Sequence, residues 1–163
     1  MASSSLVIGL ISDTHGQLRP EVARVFAHVD RIVHAGDVGG PAILQQLNDI
    51  APVEAVSGNV DDPFDPTLPR ELSLPVGPLT LHVSHGDELG SPTPQSLLAR
   101  YAGDILVYGH THKALVFRDP GGRLVVNPGA AGPRRFKLEP SVAILTITGT
   151  EARVEIVTLL DKH

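Results

Sequence analysis

Residues 6–16 read Leu-Val-Ile-Gly-Leu-Ile-Ser-Asp-Thr-His-Gly. A short apolar run rich in Val and Ile suits a buried strand, and here it empties directly into an acid and an imidazole two residues apart. The same grammar recurs downstream. Arg31-Ile-Val-His34 leads to Gly36-Asp37, residues 53–57 lead to Gly58-Asn59, residues 79–84 to His85-Gly86, and residues 105–108 to Gly109-His-Thr-His112. Each polar motif therefore sits just past the carboxyl end of a strand. In α/β sheets those ends converge on one crevice, so residues far apart in sequence are expected to meet there.

Between the early strands lie helical patterns. Residues 20–28 carry Val22, Val25 and Phe26 on one face, and residues 41–48 carry Ile43, Leu44 and Leu47, each stretch opening with Pro in its first turn. A third helix is predicted over 93–101, with Leu97, Leu98 and Tyr101 on one side. Further strands are predicted at 72–76, 114–117, 124–126, 142–146 and 154–159. Val76-Gly-Pro-Leu79 and Asp119-Pro-Gly-Gly122 read as turns between antiparallel neighbours. The order is βαβαβ, then strands, a helix and strands again. The pattern fits an α/β fold in which two sheets, or one large mixed sheet, pack together with helices outside. One domain over 1–163 accounts for the whole length, with no repeat or linker, and 61–70 as the longest loop.

Composition bounds the function. With 42% hydrophobic and 19% charged residues and a mean hydropathy of +0.09, the chain is an ordinary globular one. The formal charge of −5, with no Lys/Arg-rich stripe, argues against an extended nucleic-acid surface. Zero cysteines exclude disulfides, thiolate zinc sites and a cysteine nucleophile. The 6–11 run is too short to span a bilayer and has no basic region before it, so no membrane association and a cytoplasmic location are expected.

The motif residues are those a hard-to-borderline divalent cation wants: two carboxylates, an amide oxygen and four imidazoles. Asp13, His15, Asp37, Asn59, His85, His110 and His112 are the expected metal ligands. Alternation in Asp13-x-His15 and His110-x-His112 would lean both members of each pair to one side of an extended segment. Seven ligands exceed what one catalytic ion needs while it also holds water. They suit two ions sharing a carboxylate, assigned to Asp37. Gly36, Gly58, Gly86 and Gly109 flank these ligands, where the backbone must turn tightly or leave room.

Taken in order, Asp-x-His, Gly-Asp, Gly-Asn, a His-bearing loop and Gly-His-x-His resemble the calcineurin-like metallophosphoesterase superfamily. Ile11-Ser-Asp-Thr-His-Gly16, His34-Ala-Gly-Asp37 and Asn127-Pro-Gly129 followed by Pro133-Arg134 are similar to its small, YfcE-like phosphodiesterase branch. The resemblance implies an α/β fold of two mixed β-sheets packed as a sandwich with helices on the outer faces, four layers in all, and a split of ligands: Asp13, His15, Asp37 and His112 around one ion, Asp37, Asn59, His85 and His110 around the other. It implies a phosphoesterase, expected to be a phosphodiesterase, in which hydroxide held between two divalent ions attacks phosphorus. Asp37, Asn59 and His110 are the assigned catalytic residues. Manganese is the favoured metal, with iron, nickel, zinc and magnesium as alternatives, a small phosphodiester the expected substrate, and a homodimer the family's precedent.

One position departs from the wider pattern. Many superfamily members have His after the Gly-Asn, able to protonate the leaving group, whereas Val60 stands here. The expectation is a preference for diesters or good leaving groups. Asp61 reads either as a group orienting a ligand or as a solvated turn residue. Arg134, and after it Arg135, read as a contact to phosphate or to the Asn127-Pro-Gly loop, or as a surface ion pair. His34 is expected as a hydrogen-bonded core histidine under the site, His82 on the opposite face, and His28 and His163 without a role. A non-catalytic scaffold like the retromer subunit Vps29 is the alternative reading, although that branch has damaged metal sites.

Overall fold

The computed structural model describes residues 5–133 and 138–159. Arg134, Arg135 and His163 lie outside them. In chain order the elements are β1 (Ser5–Ile11), α1 (Glu21–Val25), β2 (Arg31–His34), α2 (Pro41–Asn48), β3 (Val53–Ala55), β4 (Glu71–Val76), β5 (Leu79–Ser84), α3 (Pro94–Arg100), β6 (Ile105–Val107), β7 (Leu115–Arg118), β8 (Leu124–Asn127), β9 (Ser141–Thr148) and β10 (Glu151–Thr158). The strands form two five-stranded sheets, ordered β10-β9-β1-β2-β3 and β4-β5-β6-β8-β7. Each has three parallel strands, β1-β2-β3 in one and β5-β6-β8 in the other, with antiparallel partners beside them.

The period-two alternation of the strands builds the layers. Ile8, Leu10, Val33, Val83, Ile105, Val107 and Leu145 point between the sheets and are buried there. Ile11 and Ile32 face the other way, against Val22 and Phe26 from the α1 segment and Ile43 and Leu47 of α2. Leu106 and Val125 leave the second sheet to meet Leu97 of α3. The result is the expected sandwich, helix–sheet–sheet–helix. Both predicted turns join antiparallel pairs, β4 to β5 and β7 to β8. No helix among the described residues is long and apolar enough to cross a membrane.

Two elements are shorter than their patterns suggest. The regular part of α1 ends at Val25, because Phe26 leaves the helical region as its ring enters the core and the chain turns back toward Asp30, whose amide bonds Val7 O. β3 stops at Ala55, because Ser57 N turns from the ladder to Pro69 O. The seven-residue α3 is held at both ends. Thr93 Oγ1 accepts from Ser96 N while Ser96 Oγ accepts from Thr93 N, and the Arg123 guanidinium donates to the carbonyls of Leu98, Tyr101 and Gly103.

Candidate metal centre

The parallel strands of both sheets end at one edge of the sandwich, and their following loops meet there. β1 delivers Asp13 and His15, β2 Asp37, β3 Asn59, β5 His85 and β6 His110 and His112. Asp13 Oδ1 lies 3.3 Å from His112 Nε2 and 3.7 Å from the Nε2 atoms of His15 and His85. Asp37 Oδ2 lies 3.1 Å from His85 Nε2 and 3.6 Å from His15 Nε2. One end of the Asn59 amide stands 3.1 Å from His85 Nε2, 3.3 Å from His110 Nδ1 and 3.2 and 3.3 Å from the two Asp37 oxygens. All seven residues singled out from sequence are thus gathered at one place.

The donor set fits a cation. Asp13 Oδ1 and His15 Nε2 are buried with no hydrogen-bond partner, an expensive condition unless something positive lies against them. All four neighbours of the Asn59 amide end are lone-pair atoms, so that end either donates as NH₂ or turns its oxygen toward a cation among them. Two groups have ligand atoms within 4.8 Å of one another: Asp13, His15 and His112, and Asp13, Asp37 and His85. Asp13 belongs to both. Asp37, assigned from sequence as the shared carboxylate, also stands between His15 and His85.

The charges agree with this geometry. Burial opposes ionisation of Asp13, but the nearby His112 and His15 imidazoles, the His85 charge and the Ser12 hydroxyl hold its carboxyl far below the usual range. Burial likewise opposes ionisation of Asp37, and contact with His85 and the Val60 amide brings it down. His85 is desolvated, yet Asp37 and Asp13 lift it to about 9. Its Nδ1 bonds Ala35 O at 2.8 Å, so Nε2 is the atom turned to the carboxylates. A proton there and a metal ion would compete for the same position.

The local backbone differs from expectation in one respect. Asp13, His15, His110 and His112 do not lie on extended segments; their φ angles are +55°, +48°, +71° and +64°, and Asp37 has +55°. They are the only non-glycine residues with positive φ among those described. Asp13 and His15 still meet, 3.7 Å apart, whereas the second pair divides, His112 against Asp13 and His110 against Asn59 and His85. Such residues carry backbone strain that only surrounding contacts can hold, and strain of this kind clusters at functional sites.

Hydrogen bonds between adjacent loops supply those contacts. His34, fully buried, ties the β1 and β2 loops: Nε2 donates to Thr14 Oγ1 at 3.0 Å and Nδ1 accepts from Gly36 N at 3.1 Å. Gly109 N bonds His85 O, Asn127 Nδ2 bonds Gly109 O and Thr111 Oγ1, and Ala131 N and Gly132 N bond the carbonyls of Ser12 and Asp13. Arg70 reaches from Ser57 O to both oxygens of Asp87. Close approach is equally constrained. A Cβ on Gly58 would sit 2.2 Å from Asp37 Oδ1, and one on Gly109 would sit 2.1 Å from Ser12 Oγ.

Sequence reasoning missed three of these supports. Ser12 donates to Asp13 Oδ2 at 2.7 Å, leaving Oδ1 as that carboxylate's free atom; its place beside Asp13 was the available signal. Thr14 and Arg70 had none. His82, expected on the opposite face, packs away from the site, stacked on Tyr101 at 4.1 Å.

Residues 6–150 match the calcineurin-like phosphoesterase superfamily domain. The chain belongs to that superfamily. A probable metallophosphoesterase of Methanothermobacter thermautotrophicus is 34% identical over 162 residues, covering 93% of this chain and 92% of that relative. Among solved structures, vacuolar protein sorting 29 from Cryptosporidium parvum superposes with a TM-score of 0.79 at 24% identity, covering 94% and 97% of the two chains. Wild-type Vps29 of Entamoeba histolytica complexed with Zn²⁺ gives 0.74 at 22%, covering 95% and 100%. These likenesses share the double-sheet fold. Membership of the superfamily makes the chain a metal-dependent phosphoesterase, and the gathered carboxylates and imidazoles are candidates to hold its metal.

Proposed function

We propose that this member hydrolyses phosphodiesters at a centre of two divalent cations, with manganese favoured by the mix of oxygen and imidazole donors. The observation that carries the reading is the convergence of seven lone-pair residues from five loops, two of whose atoms are buried without a partner. Asp13, His15 and His112 hold one cation, and Asp37, Asn59, His85 and His110 the other, with Asp13 and Asp37 standing between them. Cations bound there supply Lewis acidity toward the phosphoryl group and acidify water to a nucleophile near neutral pH. Asn59, at the exposed mouth, orients the phosphoryl group, and His85 is kept in one orientation by its bond to Ala35 O. Val60, 52% exposed beside Asn59, has no proton to give a departing alcohol. A diester with a good leaving group suits that arrangement. The acidic surface suits a small substrate over a nucleic-acid strand.

The test is a panel of aryl diesters, matched aryl monoesters and cyclic nucleotides, assayed on metal-free protein reconstituted with Mn²⁺, Fe²⁺, Ni²⁺, Zn²⁺ or Mg²⁺. Mn²⁺-dependent diester hydrolysis is expected, falling by about two orders of magnitude or more in Asp37→Ala. Full activity without metal, or a tenfold preference for the monoester, contradicts the reading. A Vps29-like scaffold would bind metal and turn over nothing. Zinc in a Vps29 chain means that metal binding alone does not separate the two.

A further inference from the structure

Asp61 sits in the loop after β3, 9% exposed, and both its carboxylate oxygens are engaged. Oδ2 accepts from Gly58 N at 2.9 Å and from Val38 N at 3.1 Å, and Oδ1 accepts from Gly39 N at 3.1 Å. The donors have telling places. Val38 follows Asp37, and Gly58 precedes Asn59. In the opposite direction, Val60 N donates to Asp37 Oδ1 at 3.0 Å. The β2 and β3 loops thus exchange amides between two carboxylates, one that faces the metal centre and one that does not.

We propose that Asp61 is a positioning residue for the metal centre, holding Asp37 and Asn59 at the separation needed to share a cation; this rests on the dinuclear reading above. Three features require a carboxylate. Two oxygens must accept three N–H groups from two loops, which an asparagine cannot do, because its NH₂ would face a donor. An ionised acceptor makes the stronger bonds. The Asp37 backbone at φ +55° also needs an anchor immediately after it, and Val38 and Gly39 provide the amides. Tolerance is small, since Gly58 passes so close to Asp37 Oδ1 that a methyl would collide. With both oxygens committed, Asp61 neither ligates a cation nor touches substrate. It acts through Asp37 and Asn59.

The decisive comparison is Mn²⁺ titration calorimetry on metal-free parent and Asp61→Asn, at a temperature where both are folded by circular dichroism, with melting temperatures measured alongside. Positioning predicts a Mn²⁺ affinity at least tenfold weaker in the variant, and diester activity that recovers toward the parent as Mn²⁺ is raised, with KM little changed. A merely structural role predicts a lower melting temperature with Mn²⁺ affinity within twofold of the parent, and that result overturns the inference. Should the variant not fold, amide exchange in the unmodified chain decides. The amides of Val38, Gly39 and Gly58 are expected to gain protection together on Mg²⁺ or Zn²⁺ loading, and unchanged exchange overturns it. If the parent binds no divalent ion, the dinuclear reading fails first and this inference with it.

Discussion

His34 has both ring nitrogens committed, one donating to Thr14 Oγ1 and the other accepting from Gly36 N, so the neutral tautomer is the only one that satisfies both loops. Burial pushes it down to about 4 from the ordinary 6.5. Because the folded value lies below the unfolded one, protons bind the unfolded chain first. The stability His34 contributes is whole above about pH 6.5 and drains away as pH falls toward about 4. Urea unfolding of the metal-free parent and of His34→Asn between pH 7.5 and 4.5 measures this. The parent is expected to lose up to about 1.4 kcal/mol per pH unit more than the variant across that window. Parallel pH curves would show that His34 is protonated as readily in the folded state. Its place at a strand end was readable in the sequence. The tie to the β1 loop was not, because Thr14 becomes its neighbour only through the β1–β2 pairing, whereas Gly36 lies two residues along the chain.

At the scale of elements, strand types and the loops that carry chemistry were readable, since burial on one or both faces imposes a period on the residues. Boundaries were less so: β3 ends early because Ser57 N finds Pro69 O, a contact far along the chain. Arg123, which caps α3 from the start of β8, was equally invisible. The β6 loop gives the sharpest test. In Gly109→Ala the new methyl meets Ser12 Oγ at 2.1 Å and Asp13 Oδ2 at 2.7 Å, and both belong to the buried floor of the site. A stability loss of roughly 1–3 kcal/mol is expected from the overpacking. Diester activity should fall at least tenfold. Gly121→Ala is the control, because its methyl meets nothing closer than Asp119 Oδ1 at 3.5 Å, and it should stay within about 0.5 kcal/mol of the parent. Equal behaviour of the two variants would mean that the β6 loop can yield.

For the whole molecule, the candidate ligands come from both sheets, so a cation bound among them would clamp the two halves of the sandwich at their shared edge. Metal that binds only the folded chain stabilises it by about 2.7 kcal/mol at a hundredfold excess over Kd. For a domain of this size that corresponds to a melting temperature higher by about 5–10 °C. Thermal scans in chelator and in Mn²⁺ at that excess check this. An unchanged midpoint would mean that the buried lone pairs of Asp13 Oδ1 and His15 Nε2 take no cation.

The sequence by itself determined the order of strands and helices, the five loops and the seven candidate donor residues. Strand periodicity and the chemistry of carboxylate, amide and imidazole are properties of residue type and spacing, which need no coordinates. Only the tertiary structure decided how those donors are held. The left-handed backbone at five of them, the hydrogen bond from His34 to Thr14, and the exchange of amides between Asp37 and Asp61 depend on which loops end up side by side. Adjacency of that kind is set by sheet pairing, and no single segment of the chain encodes it.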